Sequence, residues 1–433
     1  MILRFKPLAL KKNIPFVSLF ICLFFTLIQN SQAAKLLIPM DDQAQKNHLK
    51  AYGIAFWLLE NDVEVDWLLN YRGGSFMCSY LKEFETECVI RGVSYELISD
   101  NQAQDMARTI QHPEENKDLV KLEKAPKIAV YSPKSKQPWD DAVTLALTYA
   151  EIPYDIIYDD EIFDDLLAQY DWLHLHHEDF TGQYGKFYRA YKNAAWYIQQ
   201  KLDFEANAKK HGYDKVSDAK LAITKKVKEF VIGGGFLFAM CSATDSYDIA
   251  LAAEHTDICG PMFDGDPIAN QAQKHLNYDL GLAFTDYSLY LDPNTYEFST
   301  IDATQTRKVQ ASNDFFSLFD FSAKWDPIPT MLNQNHTALI KGFMGQTTSY
   351  NKQYLKSDVL ILGENRAANE AKYIHGKLGK GMFTFYGGHD PEDYQHRVGD
   401  PKTELDLHPQ SPGYRLILNN VLFPAAKKRK QKT

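Results

Sequence analysis

The sequence predicts an α/β fold built on a mostly parallel sheet, and two apolar runs opened by glycines carry that expectation. One is Gly233-Gly234-Gly235 followed by Phe236-Leu237-Phe238-Ala239-Met240 and Cys241. The other is Gly379-Lys380-Gly381 followed by Met382-Phe383-Thr384-Phe385-Tyr386 and then Gly387-Gly388-His389-Asp390. Each reads as a strand buried on both faces, as in a sheet covered by helices on both sides. Each also ends on reactive side chains, which in open α/β sheets collect at the carboxyl edge.

Along the chain, residues 35–40 predict a strand, 47–60 an amphipathic helix, 63–70 a second strand and 80–91 a helix. This βαβα unit, 35–125, implies parallel pairing, and residues 100–124 read as a polar connector. Residues 127–131 open a second α/β run, with helix 140–150, strand 154–158, helix 163–170 and strand 172–176. A polar helical stretch over 183–211 follows, and 220–232 lead into the first glycine segment. Residues 262–354 lose this rhythm. Rich in Tyr, Phe, Thr, Asn and Asp, with turn signals at Asp292-Pro293-Asn294 and Asp326-Pro327, they read as a β- and loop-rich insertion. Residues 358–362 and 381–386 resume core strands and 414–422 make a closing helix. The core is therefore expected over 126–261 and 355–425, with 426–433 a basic tail.

The chain has 433 residues, a formal net charge of −9, and is 45% hydrophobic and 13% aromatic. Such a composition supplies an ample core for two to three domains at about 100–200 residues each. The acidic balance argues against a nucleic-acid surface. Residues 1–34 read as a signal peptide: Arg4, Lys6, Lys11 and Lys12 precede an apolar run over 16–28, and Ser31-Gln32-Ala33 fits a cleavage site. The expectation is a periplasmic or secreted protein, soluble after cleavage near Ala33 or Ala34. In an oxidising compartment Cys78, Cys88, Cys241 and Cys259 would form up to two disulfides, in any of three connectivities. A Cys241–Cys259 bridge would remove Cys241 from any chemistry.

Cys241 falls between a strand and a helix expected over 245–253, with small neighbours Ala239, Ser242 and Ala243. A thiol at such a turn lies near the positive end of the helix, which favours the thiolate. His389 is placed to act as general base, oriented by Asp390 or Glu392. The competing readings are an inert buried Cys241 and a His389 loop that is capped without catalysis. In strand 172–176, His174 and His176 share one face, and His177, Glu178 and Asp179 follow. Imidazoles beside carboxylates suit a divalent metal, with His174, His176 and Glu178 as ligands; otherwise residues 174–179 line the same pocket. Gly233-Gly234-Gly235 lacks the spacing of a phosphate loop, and no cofactor motif is present.

Three segments resemble the class I glutamine amidotransferase-like superfamily, and within it the trehalose-utilisation (ThuA-like) branch. They are Gln169-Tyr170-Asp171-Trp172-Leu173-His174-Leu175, Phe230-Val231-Ile232-Gly233-Gly234-Gly235-Phe236 leading to Cys241, and Gly379-Lys380-Gly381-Met382-Phe383-Thr384-Phe385 leading to Gly388-His389-Asp390. The resemblance covers roughly 127–260 and 355–425 and implies a flavodoxin-like α/β/α sandwich. The chain departs from the glutaminase pattern: it has Ala239-Met240-Cys241-Ser242-Ala243 for Gly-x-Cys-x-Gly, and His389-Asp390-Pro391-Glu392 for His-x-Glu. The opening stretch, from Leu36-Leu37-Ile38-Pro39-Met40-Asp41-Asp42 through Asn47-His48-Leu49-Lys50-Ala51-Tyr52-Gly53 to Tyr71-Arg72-Gly73-Gly74, resembles exported bacterial proteins labelled asparagine synthetase B. The chain has neither the amino-terminal catalytic Cys nor the Ser-Gly-Gly-x-Asp-Ser pyrophosphate loop of that enzyme.

Three functional readings follow. One is a hydrolase of an amide or ester, with Cys241 as nucleophile and His389 as base. The second is a protein of the same fold that binds a small polar molecule or carbohydrate without catalysis. The third is a metal-dependent hydrolase.

Overall fold

The computed structural model describes residues 35–133 and 140–427. The expected signal peptide and residues 428–433 of the basic tail lie outside the described residues.

The amino-terminal strands are β1 (Lys35–Ile38), β2 (Val65–Leu69), β3 (Ser75–Ser79), β4 (Glu96–Ile98) and β5 (Asp118–Leu122). They form a 5-stranded sheet in the order β4-β1-β3-β2-β5, every pair antiparallel. This corrects the parallel βαβα expectation. Asn70, Arg72, Gly73 and Gly74 all take positive φ and turn the chain back directly after β2. β3 therefore returns between β1 and β2. The crossover helix His48–Glu60 leaves β1 and β2 pointing the same way, but they never touch, which is a split βαβ arrangement of the ferredoxin-like kind. The polar connector contains helix Asp100–Ile110, started by a Ser99–Gln102 capping box, and then β5.

The remaining strands are β6 (Ile128–Tyr131), β7 (Asp155–Ile157), β8 (Trp172–Leu175), β9 (Phe236–Met240), β10 (Phe315–Leu318), β11 (Leu339–Lys341), β12 (Tyr350–Asn351), β13 (Leu360–Asn365), β14 (Glu370–Leu378) and β15 (Gly381–Tyr386). They form a 10-stranded sheet ordered β11-β10-β13-β14-β15-β9-β8-β6-β7, with β12 on β14. The run from β15 to β7 is parallel. From β14 outward the pairing is antiparallel, so the sheet is parallel through one half only. The insertion supplies β10 and β11 to the sheet's edge, and 3-10 turns dominate its first half.

Alternation along the strands sorts the side chains into layers. Val130, Trp172 and Phe238 face helices His48–Glu60, Ala142–Ala150 and Pro412–Leu422. Ala129, Leu173 and Leu237 face helices Ala195–Lys210, Val216–Gly233 and Ser242–Ala252. The first three helices also cover the inner face of the small sheet through Leu36, Ile38, Trp67 and Phe76. Its outer face, Leu37, Leu68 and Met77, is closed by Ala103 and Ile110. One helical layer thus serves both sheets, and helix His48–Glu60 is buried almost all round. Among the described residues no helix is long and apolar enough to cross a membrane.

Two contacts set this layer. A Cβ on Gly53 would stand 1.8 Å from the Ala150 carbonyl oxygen, so two helix backbones touch there. Arg415, 0% exposed, donates to the carbonyls of Gly73 (2.7 Å) and Met40 (3.3 Å) and to the Tyr52 hydroxyl (3.3 Å). Gly53→Ala therefore destabilises the protein by about 1–3 kcal/mol through overpacking, outweighing the ~1 kcal/mol by which alanine favours a helix over glycine. A chemical-denaturation midpoint equal to or above that of the parent would contradict this.

Candidate functional site

Four consecutive carboxyl ends of the parallel strands build the site. β9 ends at Met240, and Cys241 follows at φ 53°, ψ −138° before helix Ser242–Ala252 starts. That conformation is strained for any residue with a Cβ, by about 1–3 kcal/mol, and persists where packing over-determines it. The strand–turn–helix form is the one that nucleophile elbows take. Ala239, Ser242 and Ala243 are fully buried, as close packing there requires. The Ala243 N–H donates to the His176 carbonyl (2.9 Å), which ties the elbow to the end of β8.

All four described cysteines are buried thiols, so neither expected disulfide is formed. The Cys259 thiol donates to the Thr181 carbonyl instead (3.1 Å).

His389 follows β15 after Gly387-Gly388. Its Nδ1 lies 2.6 Å from His176 Nε2, so one ring donates and the other accepts. His176 Nδ1 in turn is 3.5 Å from Asp141 Oδ1, and His174 Nε2 is 3.3 Å from Asp141 Oδ2. Asp141 caps helix Ala142–Ala150 through the N–H groups of Val143 and Thr144. His177 and His396 pack edge-on against the His389 ring at 6.0 and 4.6 Å.

The protonation states follow from burial. Burial pushes the Asp141 carboxyl up, but the His174 and His176 imidazoles outweigh it and hold it well below the usual range. Burial, then the neighbouring imidazoles, puts His389 well below its ordinary value. Burial and then His176 bring His177 down to about 3. Burial raises the Cys241 thiol against the pull of the backbone N–H groups of Thr347, Gln346 and Ser242. The site therefore rests as a neutral thiol and a neutral imidazole, not as an ion pair.

Cys241 and His389 share the wall of a cavity of about 410 Å³. Phe187, Tyr191 and Tyr296 form its aromatic side, and Gly345 with Gln346 and the 395–398 loop close it.

His177 lines this cavity as expected, and the remaining sequence-predicted residues sit elsewhere. Asp390 Oδ1 accepts from the Glu392 N–H (2.8 Å) and Glu392 pairs with His408 (3.2 Å), while Nδ1 of His389 goes to His176. Glu178 lies in the field of Lys220, Asp159 and Asp179, and burial raises it to about 7. Asp179 closes its own loop by accepting from Thr181 and Gly185 N–H. The expected metal set changes accordingly: the carboxylate that meets His174 and His176 is Asp141, with ligand atoms of all three within 4.8 Å of one another. These N and O donors suit a divalent ion. A second group, Asp257, Cys259 and Asp264, already holds the Lys215 ammonium at 2.7 and 3.0 Å from its carboxylates. Sequence reasoning missed Asp141, which reads only as a helix cap, and the loop around Gln346.

No family model and no curated protein matches the chain. Among solved structures it is similar to two cytoplasmic proteins of Salmonella typhimurium, at 11% and 12% identity with TM-scores of 0.33 and 0.34. Each likeness covers 70% of this chain and 100% of the other. It is also similar to a GH42 β-galactosidase of G. stearothermophilus, at 10% identity and a TM-score of 0.25, over 61% of this chain and 28% of that one. At these scores the likeness carries no argument about fold or activity.

A neutral resting pair fixes how labelling depends on pH. Alkylation of Cys241 by iodoacetamide should climb steadily with pH and keep climbing past 9.0, the ordinary value for a thiol. A rate that is flat from pH 5 to 8 would instead reveal a thiolate–imidazolium pair.

Proposed function

We propose that the protein is an exported Cys–His hydrolase with a class I amidotransferase-like core, cleaving an amide or ester of a small polar molecule. The observation that carries this is the strained Cys241 backbone at the end of β9, opening on the cavity that His389 shares. Numbered in chain order from β6, the parallel strands run 2-1-3-4-5, the flavodoxin-like order, which supports that core. The reading excludes a nucleic-acid substrate on charge and includes no resident cofactor.

His389 takes the thiol proton as Sγ attacks the acyl carbon, whose π pair moves onto oxygen. Return of that pair breaks the bond to the leaving amine or alcohol, which takes the proton from His389. Water then attacks the thioester, gives a proton to His389, and the acid leaves as the thiol is restored. His176 and Asp141 are positioning residues that hold the His389 ring, the part expected of Asp390 or Glu392. A general base of this kind is worth about 10²–10⁴-fold in rate.

Carbohydrate binding without turnover is the second reading, favoured by Phe187, Tyr191 and Tyr296 around one cavity, since aromatic faces suit sugar rings. In the metal-dependent alternative, Asp141 replaces Glu178 beside His174 and His176.

Intact-mass measurement after p-nitrophenyl acetate treatment separates these readings. The hydrolase predicts an acetyl adduct on Cys241 that turns over, is absent in Cys241→Ser, and forms about 10²-fold or more slowly in His389→Ala. Asp141→Asn should slow it about tenfold. An unmodified Cys241 in the folded parent protein would remove the Cys–His reading and leave the binding and metal-dependent ones.

A further inference from the structure

We propose that the turn Gly345-Gln346-Thr347-Thr348 is the oxyanion-binding element of this site, and that buried Lys372 is the residue that positions it. The inference rests on Cys241 as nucleophile and adds what stabilises the charge its attack creates.

The backbone N–H groups of Gln346, Thr347 and Ser242 are the ones that favour a thiolate at Cys241, and Gln346 shares the cavity wall with that residue. A neutral thiol is a weak acceptor and does not need three amide donors. An oxygen on the carbon bonded to Sγ would lie within reach of the same groups and would use them fully. Gly345 and Gln346 stand on the cavity wall beside Cys241 and His389, where that oxygen would be.

The turn is held from behind at each residue. Lys372, 3% exposed, donates from Nζ to the carbonyls of Phe343 and Thr348 (the latter at 2.8 Å) and lies 3.8 Å from the Phe343 ring centroid. The two carbonyls that flank the turn are thus held by one side chain. Thr348 Oγ1 closes the turn on Gly345, donating to its carbonyl at 3.0 Å and accepting its N–H at 3.2 Å. Thr347 Oγ1 donates to Asp245 (2.8 Å), in the helix that Cys241 opens. The Gln346 side chain is spent on the carbonyls of Gly185 and Tyr296. The backbone is joined to the His389 loop as well, through Gly388 N–H to Thr347 O (2.8 Å) and His389 N–H to Met344 O (2.9 Å). Lys372 thus fixes the donors relative to both nucleophile and base.

The test compares two reagents on the same cysteine. Iodoacetamide alkylates Sγ by displacing iodide and develops no oxyanion, whereas acylation by p-nitrophenyl acetate does. Thiolate fraction enters both rates equally, so their ratio isolates oxyanion stabilisation. Lys372→Met should lower the acylation-to-alkylation ratio about tenfold or more, a fraction of the roughly 10²–10³ that loss of a whole donor costs. Thr348→Val should do the same while Thr348→Ser keeps the parent ratio, which covers the case in which Lys372→Met does not fold. Ratios within about threefold of the parent in folded Lys372→Met or Thr348→Val would overturn the proposal. So would a parent protein that alkylates at Cys241 but is never acylated there. A parent protein that does neither defeats the nucleophile reading instead.

Discussion

Arg415 lies where helix Pro412–Leu422, helix His48–Glu60 and the turn after β2 meet, and its guanidinium bonds carbonyls of the amino-terminal unit. A buried cation is costly unless it is hydrogen-bonded, and here both terminal guanidinium nitrogens are. The Gly73 carbonyl belongs to a turn in which Arg72, Gly73 and Gly74 all take positive φ. The same helix backs the His389 loop: a Cβ on Gly413 would meet Pro391, two residues beyond His389, at 2.5 Å. Small sheet, closing helix and His389 loop are therefore one chain of contacts, and the geometry at the large sheet's edge depends on a charge seated beside the small one.

The site itself stores tension of another kind. Cys241 is held in a backbone conformation suited to glycine, and both it and His389 are kept uncharged by burial. Amide donors near Cys241 and the Asp141 carboxylate near His389 favour charge at these two groups, against burial and the neighbouring imidazoles. A strained backbone and buried titratable groups cost stability in the resting fold.

What the sequence disclosed was what its punctuation marked. β9 and β15 begin at glycines and are apolar on both faces, so Cys241 and His389 were placed at the right edge. β14 escaped notice because Glu370, Lys372 and His375 interrupt its apolar pattern although all three are buried. Lys372 escaped with it, since nothing local separates a buried lysine on carbonyls from a surface one. β3 hid in Ser75–Ser79, too short and mixed to read as a strand, and without it the first unit looked parallel. Asp141 needed the fold, because only tertiary structure sets a helix cap against histidines from another strand. Glu178 misled for the opposite reason: closeness in sequence to His174 and His176 does not survive the turn after β8.

Because one helical layer serves both sheets, the order of synthesis matters. Helix His48–Glu60 is buried nearly all round and packs against Pro412–Leu422, which is synthesised much later. At about 5–20 residues per second, the roughly 350 residues between them take on the order of 20–70 s to make. For that interval the apolar face that helix Pro412–Leu422 covers in the complete fold has no such cover.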